Sequence, residues 1–127
     1  MEASERAAQI WSVLAWAATN RQVLTYKILG KLIGVPARGL GHLLEPIQSY
    51  CLVHDLPPLT ILVVSEDDGL PSSGFTAAQD IPRNQLAVFQ FNWLERGTPS
   101  PEDLAAAVAQ RPSRPVATSG PAVPLVD

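Results

Sequence analysis

Cysteine is nearly absent from this chain: among 127 residues there is one, Cys51. A single thiol excludes an intramolecular disulfide and a cysteine-rich zinc site, and it suits a reducing compartment. Long apolar runs are missing as well. None approaches the roughly 20 residues that a membrane span requires, and the N-terminus lacks the basic start and small-residue cleavage site of a secretory signal. The expectation is a cytoplasmic protein with no membrane partner. There is no glycine-rich phosphate loop and no Gly-x-Ser-x-Gly elbow to present a serine nucleophile. Internal repeats are also absent. Basic residues are the scarcer sign, nine against twelve acids, which leaves a net charge of −3. The length suits one small domain with a tail, since a second independent core has too few residues to build from.

What the chain does have is a patterned stretch from Leu24 to Leu44. Leu24, Ile28, Leu29, Leu32 and Ile33 recur at helical spacing, with Thr25 placed as N-cap and Lys27 and Lys31 one turn apart on the opposite face. Gly34 can adopt the left-handed conformation that closes a helix, and Pro36 suits the first turn of another. The spacing predicts a second helix from Ala37, with Leu40, Leu43 and Leu44 inward and Arg38 and His42 outward. Two helices joined by so short a turn form a helix-turn-helix, in which the second helix is a probe for nucleic acid. Charge agrees locally: Arg21, Lys27, Lys31 and Arg38 are the only ionised residues from Arg21 to Leu44, so this stretch is at +4. A basic concentration of this kind is where a phosphate backbone would lie.

The remainder reads as mainly helical. A first helix is expected from about Ser4 to Ala18, capped by Ser4, with Ala7, Ile10, Trp11, Leu14, Ala17 and Ala18 on its apolar stripe and Trp16 off it. Pro46 should stop or kink the probe helix, and Ile47, Tyr50, Cys51 and Val53 suggest a further short helix starting there. Leu59 to Val64 is β-branched and nearly uninterrupted, which predicts a buried strand. Asp68-Gly69 then signals a turn into a return strand or wing over Leu70 to Phe75. Asp80-Ile81-Pro82 opens a helix in which Leu86, Phe89 and Trp93 share a face, and Ser100-Pro101-Glu102-Asp103 opens a last helix to about Gln110. Residues 111–127, rich in Pro, Ser and Ala, are expected to be a disordered tail beyond a domain of residues 1–110.

Two small constellations carry little chemistry. Cys51 and His54 sit three apart, but a Cys-x-x-His without further ligands is a weak metal or thiolate-base signal. Glu66, Asp67 and Asp68 lack the alternating spacing and terminal glutamate of a calcium loop and read as a solvated turn.

Several of these segments, taken in order, resemble the DNA-binding domain of the O6-alkylguanine-DNA alkyltransferases and their non-enzymatic relatives, the alkyltransferase-like proteins. Ile10-Trp11 with Leu14 resembles the family's Val-Trp-x-x-Leu, and Leu24-Thr25-Tyr26 with Leu29 its Thr-Tyr-x-x-Leu-Ala. Pro36-Ala37-Arg38-Gly39-Leu40-Gly41 resembles the Ala-Ala-Arg-Ala-Val-Gly start of its recognition helix, and Asp55-Leu56-Pro57-Pro58-Leu59 stands where the family has Asn-Pro and a short strand. The stretch from Glu45 to Val53 is an insertion relative to that pattern. The resemblance implies a winged helix-turn-helix-like fold that docks in the minor groove. It also implies that Arg38 fills the gap left by a flipped nucleotide while Tyr26 presses on the neighbouring phosphate, roles that suit these residue types because a flipped base leaves lost stacking to be replaced.

The chain departs from the family where the reaction occurs. The reactive Pro-Cys-His-Arg segment has no counterpart, since Leu59 to Val64 contains no cysteine, histidine or arginine. The combined expectation is a mainly α single domain with a small β hairpin, winged helix-turn-helix-like, non-enzymatic and without cofactor or metal. Its expected partner is double-stranded DNA, alkylated DNA included, with damage sensing or transcriptional regulation as the role. The expected DNA-binding residues are Thr25, Tyr26, Lys27, Lys31, Pro36, Ala37, Arg38, Gly39, Gly41 and His42. The alternative is a protein-protein interaction module that kept the fold and lost DNA binding, because residues 45–110 carry nine acids against Arg83 and Arg96, a balance of −7.

Overall fold

The first helix, α1, runs from Ala3 to Thr19 in the computed structural model, which describes residues 2–71 and 80–110. Its N-cap is Glu2 rather than Ser4, and the Glu5 carboxylate accepts the Glu2 N–H at 2.8 Å. The anticipated stripe of Ala7, Ile10, Trp11, Leu14, Ala17 and Ala18 is buried, together with Ala15, while Trp16 is left in solvent. This face is what the rest of the molecule packs on. α3 (Gly41–Val53), α5 (Trp93–Arg96) and α6 (Pro101–Gln110) all lie against α1, and α3 and α6 pack on each other.

An aromatic cluster stands at the centre of that packing. Trp11 meets the Tyr50 and Trp93 rings edge to face, with centroids 5.4 and 5.6 Å away, the arrangement that ring quadrupoles favour. The Trp93 indole N–H donates to the Val88 carbonyl at 2.8 Å.

Residues 24–39 lie at the edge of this core. β1 (Leu24–Thr25) leads into α2 (Tyr26–Ile33), capped as expected by Thr25, whose Oγ1 accepts the Ile28 N–H at 3.1 Å. Gly34 closes the helix at φ 83°, in the left-handed region that glycine occupies without a Cβ penalty. Two expectations need correction here. Ile28 and Leu32 are exposed rather than part of the inward stripe, because the described residues cover α2 on one side only, through Leu29, Gly30 and Ile33. The probe helix does not begin at Ala37: residues Ala37–Gly39 form a 3-10 turn, Pro36 precedes it in extended conformation, and Leu40 joins it to α3.

α3 then runs unbroken through Pro46, so the expected stop and the separate short helix are one helix. The proline ring removes only the bond to the carbonyl of His42, an exposed residue at the helix start, where water can replace it. In return Leu43, Leu44, Ile47, Tyr50 and Cys51 stay on one buried face, and that burial outweighs a single lost bond.

The buried run from Leu59 is also not one strand. Leu59–Leu62 is a 3-10 turn, and only β2 (Val63–Val64) is extended. β2 pairs in parallel with β1, Leu24 opposite Val63 and Thr25 opposite Val64, so the small sheet is a crossover pair and not a hairpin. With a two-residue partner, a longer strand would leave buried backbone groups unpaired. The Asp68-Gly69 turn does form. Ser65 N–H donates to Leu70 O at 2.8 Å, the Asp68 carboxylate accepts the Leu70 N–H at 3.0 Å, and Val64 and Pro71 make a single antiparallel bridge. The expected return strand beyond Pro71 and the expected tail from Arg111 lie outside the described residues.

α4 (Ile81–Gln90) opens where expected, with the Asp80 carboxylate accepting the Arg83 N–H at 3.2 Å. It ends before Trp93, which belongs to α5. Val88 is its buried residue, whereas Leu86, expected inside, is exposed. Ser100 caps α6 through the Asp103 N–H at 3.1 Å, as its sequence predicts. The structure is therefore mainly helical with a two-stranded parallel sheet.

Candidate nucleic-acid interface

Gly30 positions this surface. A Cβ at residue 30 would lie 2.5 Å from the Val35 carbonyl oxygen, so only glycine lets the turn fold back against α2. The Gly34 and Val35 N–H groups both donate to the Gly30 carbonyl, at 2.7 and 2.9 Å, and lock the reversal. A second tie comes from α1, where the Arg6 guanidinium donates to the Ile33 carbonyl at 2.7 Å and supplies positive charge at the C-terminal end of α2.

These contacts leave an open groove of about 410 Å³ between α2 and the turn, lined by Lys27, Gly30, Lys31, Gly34, Val35, Pro36 and Ala37. Lys27 and Lys31 stand one turn apart on its rim and are exposed, as are Pro36 and Ala37. No acid lines it. Both lysines are without an ion-pair partner among the described residues, where the one surface salt bridge is Arg83 with Asp80 at 3.4 Å.

The other expected contact residues fall outside the groove. Arg38, Gly41 and His42 are exposed and continue the surface past Ala37, on the 3-10 turn and the first turn of α3. Gly39 is half-buried, its Cβ position 3.3 Å from the Val35 side chain. Thr25 is occupied as a helix cap, and Tyr26 is half-buried against the core. Gly30, Gly34 and Val35 were not among the expected contacts. An isolated glycine inside a helical pattern, as at Gly30, was the available signal.

The Cys51 surroundings differ from an active thiol's. Burial pushes its pKa from 9.0 up to about 11, outweighing the Leu59 backbone hydrogen bond and the nearby Arg96 charge, which both lower it. His54 is turned to Tyr50, ring centroids 4.1 Å apart, and Arg96 donates to the Tyr50 hydroxyl at 2.7 Å. Among the described residues no group of three or more His, Cys, Asp or Glu could hold a metal ion, and no helix is long and apolar enough to cross a membrane.

No protein family, curated protein or solved structure matches this chain.

Proposed function

We propose that the chain is a non-enzymatic DNA-binding protein of winged helix-turn-helix type, related to the alkyltransferase-like proteins, that docks α2 and the turn into α3 on a duplex. The observation that carries this reading is the groove rim. Lys27 and Lys31 project side by side opposite the 34–37 turn, unpaired and with no lining acid, and two ammonium groups so placed suit successive phosphates. Arg38 stands just beyond, exposed on the 3-10 turn, where it can enter a groove and read or replace a base. The protonated Cys51 thiol supports the non-enzymatic part, since it is a poor acceptor for an alkyl group.

The test is fluorescence anisotropy with plain duplex and with duplex carrying O6-methylguanine, repeated over a salt series. Binding whose logarithm falls linearly with log salt is expected, with the modified duplex preferred. Absence of binding at low salt would overturn the proposal and leave the second reading, a protein-interaction module. That reading is favoured by Ile28 and Leu32, whose exposed aliphatic side chains phosphate cannot use.

A further inference from the structure

Ile28 and Leu32 are 48% and 61% exposed and stand four residues apart on α2. At 3.6 residues per turn they form one row, about 100° round the helix from the row of Lys27 and Lys31. Neither lines the groove. Two aliphatic side chains held together in water are a larger exposed patch than scattered single ones, and covering them gains apolar burial.

The complement to this face is on the same chain. The turn from Ser65 to Leu70 presents Glu66, Asp67 and Asp68 beside Leu70, itself 48% exposed. Neither Lys27 nor Lys31 pairs with Glu66 or Asp67 within the molecule. The parallel register, Thr25 opposite Val64, brings the start of α2 and the start of this turn to the same end of the sheet. The beginnings of a basic-apolar helix and of an acidic-apolar turn therefore lie side by side, and their opposite charges let both meet their counterparts on a second copy related by a two-fold axis.

We propose that two copies of this chain associate about such an axis, with the Ile28–Leu32 row of each α2 covered by Leu70 of the other and Lys27 and Lys31 meeting the other's Glu66–Asp68 turn. The apolar centre of the contact lies away from the groove, but its charged rim uses Lys27 and Lys31, so the dimer and a bound duplex would compete for the same two lysines. The small extent of the contact places it with weak, transient associations, with a dissociation constant on the order of 0.1 mM.

Sedimentation velocity on the full chain, in a concentration series at low salt, should show a monomer-dimer equilibrium that salt weakens. Lys27→Glu/Lys31→Glu and Glu66→Lys/Asp67→Lys should each be monomeric alone, since each juxtaposes like charges. Mixed in equal amounts they should dimerise again, because both halves of the contact are then complementary. Ile28→Asp/Leu32→Asp should weaken association at least about tenfold with an unchanged circular dichroism spectrum, as both positions are exposed. A wild-type chain that stays monomeric, a mixture that fails to associate, or mass growing past the dimer would each overturn the proposal. Duplex affinity measured in parallel would decide the DNA reading separately.

Discussion

At the scale of single residues, Lys31 and Arg38 should fail in different ways. Lys31, a point charge on the groove rim, should contribute to every duplex alike. Lys31→Ala is expected to lower the salt slope by about one contact without changing preference. Arg38→Ala should cost on the order of 1 to 3 kcal/mol and fall mainly on the modified duplex, because a planar guanidinium can stack or hydrogen-bond where a base has left. Equal small losses, read by anisotropy, would reduce Arg38 to a phosphate contact. Cys51 gives a prediction of the opposite kind. At neutral pH its thiolate population is on the order of a hundredfold below that of an ordinary thiol, so incubation with O6-methylguanine DNA should leave the intact mass unchanged. The same shift has a stability signature. A folded pKa raised from 9.0 to about 11 favours the folded state fully below the lower value, and that contribution is lost as pH rises toward the upper one. Cys51→Ala should therefore flatten the fall of Tm over that alkaline window relative to wild type, whatever its effect on Tm at pH 7.

At the scale of elements, the sharpest constraint is the reversal between α2 and the 3-10 turn. Gly30→Ala would place a methyl group 2.5 Å from a backbone carbonyl that has no flexible end to move. The helix propensity of alanine favours the substitution by up to about 1 kcal/mol, but the overlap should cost about 1 to 3 kcal/mol. Net destabilisation with weakened duplex binding is the expected outcome, and a variant more stable than wild type in urea would show that the turn opens freely. The same element shows why part of the site was legible in the residue order and part was not. The Thr25 cap and the Gly34 terminus are local chemistry, satisfied within four residues. The groove itself depends on where Val35 comes to rest, and on Arg6 arriving from α1.

At the scale of the molecule, α2 and the turn after it are peripheral to a core of α1, α3 and α6. Leu104 of α6 is fully buried, so Leu104→Ala should cost 2 to 5 kcal/mol by the usual range for an aliphatic core truncation. The expected result in denaturant is a lower midpoint with an unchanged m-value. Duplex affinity below the transition should be little altered, since α6 contributes nothing to the groove lining. Simultaneous loss of affinity would mean that the groove and the core are not separable. Charge is likewise divided at this scale: residues 6–44 carry five bases and no acid, while the acids gather after Leu44. That division in the sequence is what the two proposals, phosphate contact and self-association, both draw on.

The order of residues was enough to specify the helical class, the apolar stripe of α1, the caps at Thr25 and Ser100, the helix opening at Asp80, the left-handed stop at Gly34 and the turn at Asp68-Gly69. Each follows from periodicity or from a side chain satisfying backbone groups a few positions away. Packing settled the rest. Pro46 sits inside α3 because burial of one continuous face against α1 and α6 outweighs one missing hydrogen bond. The run from Leu59 curls into a 3-10 turn because its partner strand offers only Leu24 and Thr25. Ile28 and Leu32 have the spacing of core residues but face water, since among the described residues no element covers that side of α2. Local spacing says which residues share a face; which face is covered depends on contacts between residues far apart in the chain.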